Sequence, residues 1–269
     1  MLTLSGPRVE DDAMEAEVKM FSHEEREAIV QDVSGTTPPV LLRHEEWHQL
    51  LLLMEEELLL IPEEEKAAFQ LAQQNCPEIA NAESERIKFL QASRLDPHAT
   101  AHRIVGYWNT RFELFGDDAF EPITLEHLEP NEIRILETEG FRILSITDEG
   151  GRGLLLVNRS LVPSRTRERR AMSLRVLFYV LEVASENKFV QVNGLSFIVY
   201  FSEPFHMEHF DGKMTRRILG LLTKHSPIRC CSGHCLYSSF VITTLVPLLR
   251  AALGKELRHR FLFHGGTNK

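Results

Sequence analysis

Residues Ser226–Gly265, SPIRCCSGHCLYSSFVITTLVPLLRAALGKELRHRFLFHG, carry the reading that decides the architecture. A strand-like segment near Arg229–Leu236 leads into an apolar segment, then a basic turn, then a second strand that closes on His264-Gly265. From Leu236 to Leu249 no residue carries a fixed charge. A helix on a wet surface shows a charged face, so this one covers either a packed core or a large apolar cavity.

Upstream of it, Leu195–Phe201 (LSFIVYF) is an uncharged β-branched and aromatic run, the pattern of a strand buried inside a sheet. Met207–Lys224 reads as a helix with Ile218, Leu221 and Leu222 inward, and Thr166–Glu186 as a helix with a basic start. Phe141–Ile146 and Gly153–Asn158 are strand-like, separated by a hairpin turn, TDEGGRG. Strands alternating with helices predict an α/β domain with a mixed sheet over 121–269.

The first part of the chain has a different texture. Arg43–Leu60 has helical periodicity, Pro62 opens a further helix, and Ala82–Ala92 forms another. Asp96-Pro97 then caps and starts a helix with Ala101, Ile104, Val105, Trp108 and Phe112 on one side. These predict a small helical N-terminal domain over 41–120, after a flexible acidic tail at 1–40 that stops at the GTTPP of Gly35–Pro39.

Charge is unevenly spread. Residues 1–80 carry 5 Lys+Arg against 18 Asp+Glu, whereas 81–269 carry 25 against 21. The overall balance of -9 argues against a nucleic-acid partner, while the larger portion can meet an anionic surface. No apolar run reaches the roughly 20 residues that span a bilayer. The acidic N-terminus lacks the apolar core of a secretory signal, and the chain has only four cysteines, three of them crowded. Both features suit a reducing, cytosolic compartment.

The motifs that suggest bond chemistry do not assemble. Glu149–Gly153 (EGGRG) precedes a strand rather than a helix, so it reads as a turn and not a phosphate loop. Cys230, Cys231, His234 and Cys235 offer soft ligands, but alternate side chains on one strand face opposite ways and no second ligand pair exists. The same spacing argues against a catalytic Cys-His pair, and the acidic runs Glu55–Glu57 and Glu63–Glu65 read as solvated faces. No catalytic residue, metal or cofactor is expected. Two basic groups stand out: Arg165, Arg167, Arg169, Arg170 and Arg175, and Lys255, Arg258, His259 and Arg260 after the apolar helix. Each suits either solubility or contact with lipid phosphates and anionic membrane.

Four stretches together resemble the CRAL-TRIO lipid-transfer family, which includes the yeast phosphatidylinositol transfer protein and the tocopherol and retinaldehyde carriers. They are Glu85–Gly116, the hairpin TDEGGRGLLLVNRS, the strand region VNGLSFIVYFSEP, and SPIR with the apolar helix and LGKELRHRFLFHG. On the first, Arg86, Phe89, Leu90, Arg94, Leu95, Asp96, Ala99 and Tyr107 fall on the family pattern. The resemblance implies a helical N-terminal domain beside a CRAL-TRIO-like mixed sheet that floors an apolar pocket. The segment matching Leu236–Leu249 would be a gate that swings aside at a membrane. Pocket or gate residues would then be Phe178, Ile198, Tyr200, Cys235, Tyr237, Phe240, Val241 and Leu245. Ile198 and Tyr200 form a consistent pair on one face, although the facing could be reversed; Tyr237 suits either a head-group hydrogen bond or a core position. Arg229, Lys255, Arg258 and Arg260 would meet membrane or phosphate, as basic residues there do in the tocopherol-carrier branch.

The implied partner is one hydrophobic small molecule or phospholipid, with transient contact to anionic membrane; oligomeric state is left open. The alternative is a non-transferring interaction module with an occluded pocket. Three departures stand out: Tyr200 where an acid is usual, His234-Cys235-Leu236 in place of Asn-Pro, and Ser226 in place of tyrosine. The sequence also ends four residues after Gly265, which leads to the expectation of a shortened C-terminal end.

Overall fold

Local signals set the helices of the N-terminal region. The computed structural model describes residues 19–37, 40, 42–162, 166–201, 211–238 and 240–266. Helix α1 (His23–Ser34) opens on a reciprocal cap: Ser22 Oγ accepts from the Glu25 N–H at 3.1 Å and the Glu25 carboxylate accepts from the Ser22 N–H at 2.7 Å. It ends at Gly35, whose φ of 70° is the left-handed conformation that closes a helix. Then follow α2 (His44–Leu60), α3 (Ala67–Asn75), α4 (Pro77–Ala80), α5 (Glu83–Ala92), α6 (Pro97–Phe115) and α7 (Pro130–Glu137). The Asp96 carboxylate caps α6, accepting from the Ala99 N–H at 3.1 Å, with Pro97 in the first turn.

The sheet begins as a hairpin. Strand β1 (Phe141–Thr147) pairs antiparallel with β2 (Gly153–Asn158), and Asp148 Oδ1 organises the turn by accepting from the Gly150 and Arg152 N–H groups at 3.0 and 2.9 Å. β3 (Leu195–Phe201), β4 (Cys230–Tyr237) and β5 (Phe261–Gly265) add in parallel, giving five strands in the order β1-β2-β3-β4-β5. The parallel crossovers carry α8 (Arg167–Ser185) and α9 (Lys188–Asn193), then α10 (Gly212–Lys224), then α11 (Phe240–Ala252) and α12 (Gly254–Arg258).

One core joins the helical region to the sheet. Met54, Leu90, Ile104 and Trp108 are continuous with Leu177, Phe178, Leu155, Leu195 and Phe197. A second, smaller cluster stands apart: Phe201, Cys235, Ile242, Leu245, Val246, Leu257 and Phe261. Helix α11 is thus packed into its own cluster rather than into the main core.

Several expectations change. Part of the stretch read as a flexible tail is α1, a capped helix; residues 1–18 lie outside the described residues. The apolar span does not begin as helix at Leu236: β4 continues to Tyr237, because parallel partners on both sides satisfy its backbone. The helix expected from Pro62 starts at Ala67, and that expected from Met207 starts at Gly212 under an Asp211 cap, 202–210 being undescribed. Helices α7 and α9 were not anticipated.

Candidate functional site

Strand alternation presents Val157 of β2, Phe197, Val199 and Phe201 of β3, Cys235 of β4 and Phe261 and Phe263 of β5 to one side of the sheet. Ile218, Leu219 and Leu222 of α10, Leu249 of α11 and Leu253 just after it close over them. Between sheet and helices lies an apolar cavity of about 120 Å³. Its polar members are Arg159, Asp211 and Thr215. Asp211 caps α10 and pairs with Arg170 at 2.9 Å. Burial pushes the Asp211 carboxyl up, but the Met214 N–H and the Arg170 charge outweigh it and hold it below its ordinary value.

Leu222 also lines a second space, a cleft of about 550 Å³ at the start of β4, bounded by α1 and the α5–α6 turn. This cleft is lined by four arginines, Arg94, Arg103, Arg229 and Arg260, set against four carboxylates, Glu24, Glu25, Asp32 and Asp96. Asp32 of α1, 1% exposed, sits among Arg94 Nη2 at 2.6 Å, Arg260 Nε at 3.0 Å and Arg229 Nε at 3.5 Å. Arg94 and Leu95 both have left-handed backbone, with φ of 55° and 64°. That conformation costs a non-glycine residue roughly 1–2 kcal/mol, so the fold spends stability on turning Arg94 toward α1. Arg103 lines the same cleft and donates to Ser93 Oγ and the Ser226 carbonyl, each at 3.0 Å.

The expected residues scatter across this geometry. Cys235 lines the cavity. Ile198 and Tyr200 are on the opposite sheet face, with Tyr200 43% exposed, so the alternative parity holds and Phe197 and Val199 face the cavity. Phe178 is in the main core, its ring 5.4 Å from Tyr107 and 5.6 Å from Phe115. Tyr237 and Leu245 belong to the second cluster, Leu245 as a buried anchor of α11 rather than a lining residue. The side chains of Phe240, Val241 and Lys255 lie outside the described residues. Arg229 and Arg260 reach the cleft, whereas Arg258 donates to the Arg250 carbonyl at 3.1 Å.

The arginine-rich start of α8 does not act as one patch. Arg175 turns inward to Glu132 at 2.9 Å and Arg170 pairs with Asp211, leaving Arg167 and Arg169 exposed; Arg165 is undescribed. Sequence reasoning missed Asp32, Arg103, Leu249 and Leu253. The α1 cap S-x-x-E and the four-residue spacing of the two leucines were the available signals.

Cys235 and His234 point to opposite sheet faces, so the CCxxHC set does not converge. His234 instead stacks on His264, with Nδ1 and Nε2 3.0 Å apart. Burial pushes the Cys235 thiol up to about 12 and raises that of Cys230, which keeps both protonated at neutral pH. Among the described residues no group of three or more His, Cys, Asp or Glu is arranged to hold a metal ion.

Residues 137–269 match the family model described as the CRAL/TRIO domain. Among solved structures, the chain is similar to the crystal structure of Sfh5, with 11% identity and a TM-score of 0.50, over 83% of this chain and 82% of that one. At that identity the likeness concerns the fold alone.

Proposed function

From the premise that this chain belongs to the CRAL/TRIO family of lipid-binding proteins, we propose that it carries one amphipathic lipid, apolar body in the cavity and anionic head in the arginine cleft, and exchanges it at membranes. The observation that supports this most is the sharing of Leu222 by an apolar cavity and an arginine-lined cleft. A lipid needs both environments side by side. Each methylene shielded from water contributes about 0.8 kcal/mol, and a guanidinium fork pairs bidentately with phosphate oxygens.

At about 120 Å³ the cavity is near the size of an engineered apolar cavity, about 150 Å³, that takes benzene, and is too small for a whole acyl chain. Loading therefore requires α11 to move. Its anchoring in the smaller cluster suits that motion, because local opening follows the least-connected packing units. Pro247 inside the helix removes a backbone donor and weakens it further. Leu248, 57% exposed on α11, and Arg167 and Arg169 at the start of α8 are the groups offered to a bilayer. Among the described residues no helix is long and apolar enough to cross a membrane, so contact would be peripheral. The work is exchange of partners rather than bond chemistry.

Native mass spectrometry of the purified protein, before and after incubation with mixed-lipid vesicles, tests the reading. A bound lipid at near one-to-one stoichiometry is expected; the protein remaining bare in both states would sink it. The small cavity favours a second reading, a non-transferring module whose roof stays shut. That reading predicts no lipid uptake and no vesicle-dependent exposure of the cavity.

A further inference from the structure

We infer that helix α1 is an electrostatic latch: Asp32 occupies the seat of a phosphate group in the arginine cleft, and a phosphate-bearing ligand displaces it. The inference rests on the proposed lipid-carrier reading and concerns how its polar half is closed.

The way α1 is attached carries the argument. Of its 12 residues only Asp32 is buried. Val30 is 63% exposed, so no full apolar face is committed to the body. What holds the helix itself is mainly charge, its apolar residues Ala28, Ile29 and Val33 being only half-buried. Its last turn receives the Arg152 guanidinium on the carbonyls of Asp32 and Val33, and Arg94 donates to the Ala28 carbonyl at 2.8 Å. Just outside the helix, the buried Phe21 (6% exposed) is its apolar anchor and packs edge-on to His259, with ring centroids 5.2 Å apart. A surface helix without a buried apolar stripe is poorly stabilised by packing, so removing its ionic anchor frees it.

The anchor is also an imperfect match. Among the described residues, the Asp32 carboxylate is the one that lies within 3.5 Å of the guanidinium groups of Arg94, Arg229 and Arg260; the Glu24, Glu25 and Asp96 carboxylates line the same cleft. Asp32 Oδ1 lies close to two of these guanidinium groups without an aligned hydrogen bond, and Arg229 Nε is buried with no hydrogen-bond acceptor. The Arg229 side chain is only 9% exposed and lines the 550 Å³ cleft that remains beside α1. A phosphate monoester brings about -1.5 to -2 of charge and three strong acceptor oxygens. It would offer Arg229 Nε the acceptor that the Asp32 carboxylate does not. Asp32 is thus a resident stand-in, and entry of phosphate and release of α1 are two sides of one equilibrium. The phosphate could belong to a lipid head group or be free.

Peptide-resolved hydrogen exchange of the wild-type protein, and binding by the wild type and Asp32→Asn, test this. The probes are inorganic phosphate, phosphatidylcholine vesicles, and the same vesicles containing phosphatidic acid, with chloride at matched ionic strength as control. Exchange across His23–Ser34 is expected to rise at least about tenfold with a phosphate probe and not with chloride, and Asp32→Asn to bind that probe at least about tenfold tighter. A response to acidic vesicles alone assigns the seat to a lipid head group; a response to inorganic phosphate assigns it to phosphate generally. The wild-type measurement stands even if the variant folds poorly. Unchanged exchange of α1 with every probe overturns the latch, as does equal binding by the two proteins. Lipid co-purification is then judged separately, since a protein that carries lipid while α1 stays shut loses only the latch.

Discussion

Arg111 Nη1 lies 3.3 Å from Glu182 Oε2, bridging α6 of the helical region to α8 of the sheet region inside a shared core. Arg111 is 2% exposed and also donates to the carbonyls of Ala119 at 2.7 Å and Glu121 at 2.5 Å and to the Tyr107 hydroxyl. The Tyr107 hydroxyl in turn donates to Glu182 at 3.0 Å. One planar side chain therefore satisfies acceptors from three segments.

Arg111→Ala is expected to cost about 3–5 kcal/mol, because it removes the cation paired with Glu182 and leaves two carbonyls without a donor. Arg111→Lys keeps the charge but loses the fork and should fall between the two. Urea unfolding followed by both far-UV signal and tryptophan emission measures this. With one continuous core the two signals should shift together; a loss below about 1 kcal/mol would remove the bridge's structural role.

Leu249→Trp should fill the cavity from the roof. Bound lipid is expected to drop severalfold while the melting temperature is held or raised, since the added volume enters existing space. Leu245→Ala is the contrasting change: it empties a fully buried anchor at about 2–5 kcal/mol. Its exchange pattern should show α11 loosening while α6 and α8 stay protected. Lipid loading unaffected by Leu249→Trp would separate the cavity from ligand binding.

Two histidines make stability fall with acid. Burial, then the nearby Arg103 and Lys224, lowers the pKa of His225; burial, then His264, lowers that of His234. Below their ordinary value of about 6.5 the unfolded chain takes up protons that the folded one refuses, so stability is present above that pH and is lost as pH falls. Melting temperature should decline from pH 7 downward, and His225→Gln should flatten the decline. His225 also accounts for Gly106: a Cβ there would sit 2.5 Å from the His225 ring, so Gly106→Ala should destabilise by about 1–3 kcal/mol.

Cys235 is a native reporter of the roof. It is 6% exposed, lines the cavity and has a thiol pushed up to about 12. Labelling by a maleimide at neutral pH should be slow in buffer and accelerate when vesicles are added, as judged by peptide mass. The same slow rate with and without vesicles would show a roof that does not open.

Much of the fold was legible because its signals are local. Asp96-Pro97 caps α6, Thr166 caps α8, and Asp148 with the following glycines turns the hairpin; each needs only residues a few positions away. Which arginines would be buried was not legible. Arg175 and Arg170 sit in one basic run with Arg167 and Arg169, yet their partners Glu132 and Asp211 come from 43 and 41 residues away. Nor was α1, whose cap was readable but whose reason to dock lies in arginines from the α5–α6 turn, the residue just before β4 and the corner before β5.

By itself the sequence determined most of the element types, the mixed sheet and the uncharged helix beside one of its last strands, since periodicity, caps and turns act over a few residues. Tertiary structure alone decided which face of β3 meets the cavity. Leu195, Phe197, Val199 and Phe201 form the wholly apolar set against Ser196, Ile198 and Tyr200, but with no charge in either set, only the crossover helices over Phe197, Val199 and Phe201 decided that this face floors the cavity. It also decided that Asp32 and Arg260, 228 residues apart, would meet 3.0 Å from each other. A charge in a chain has no partner until folding removes the water between them.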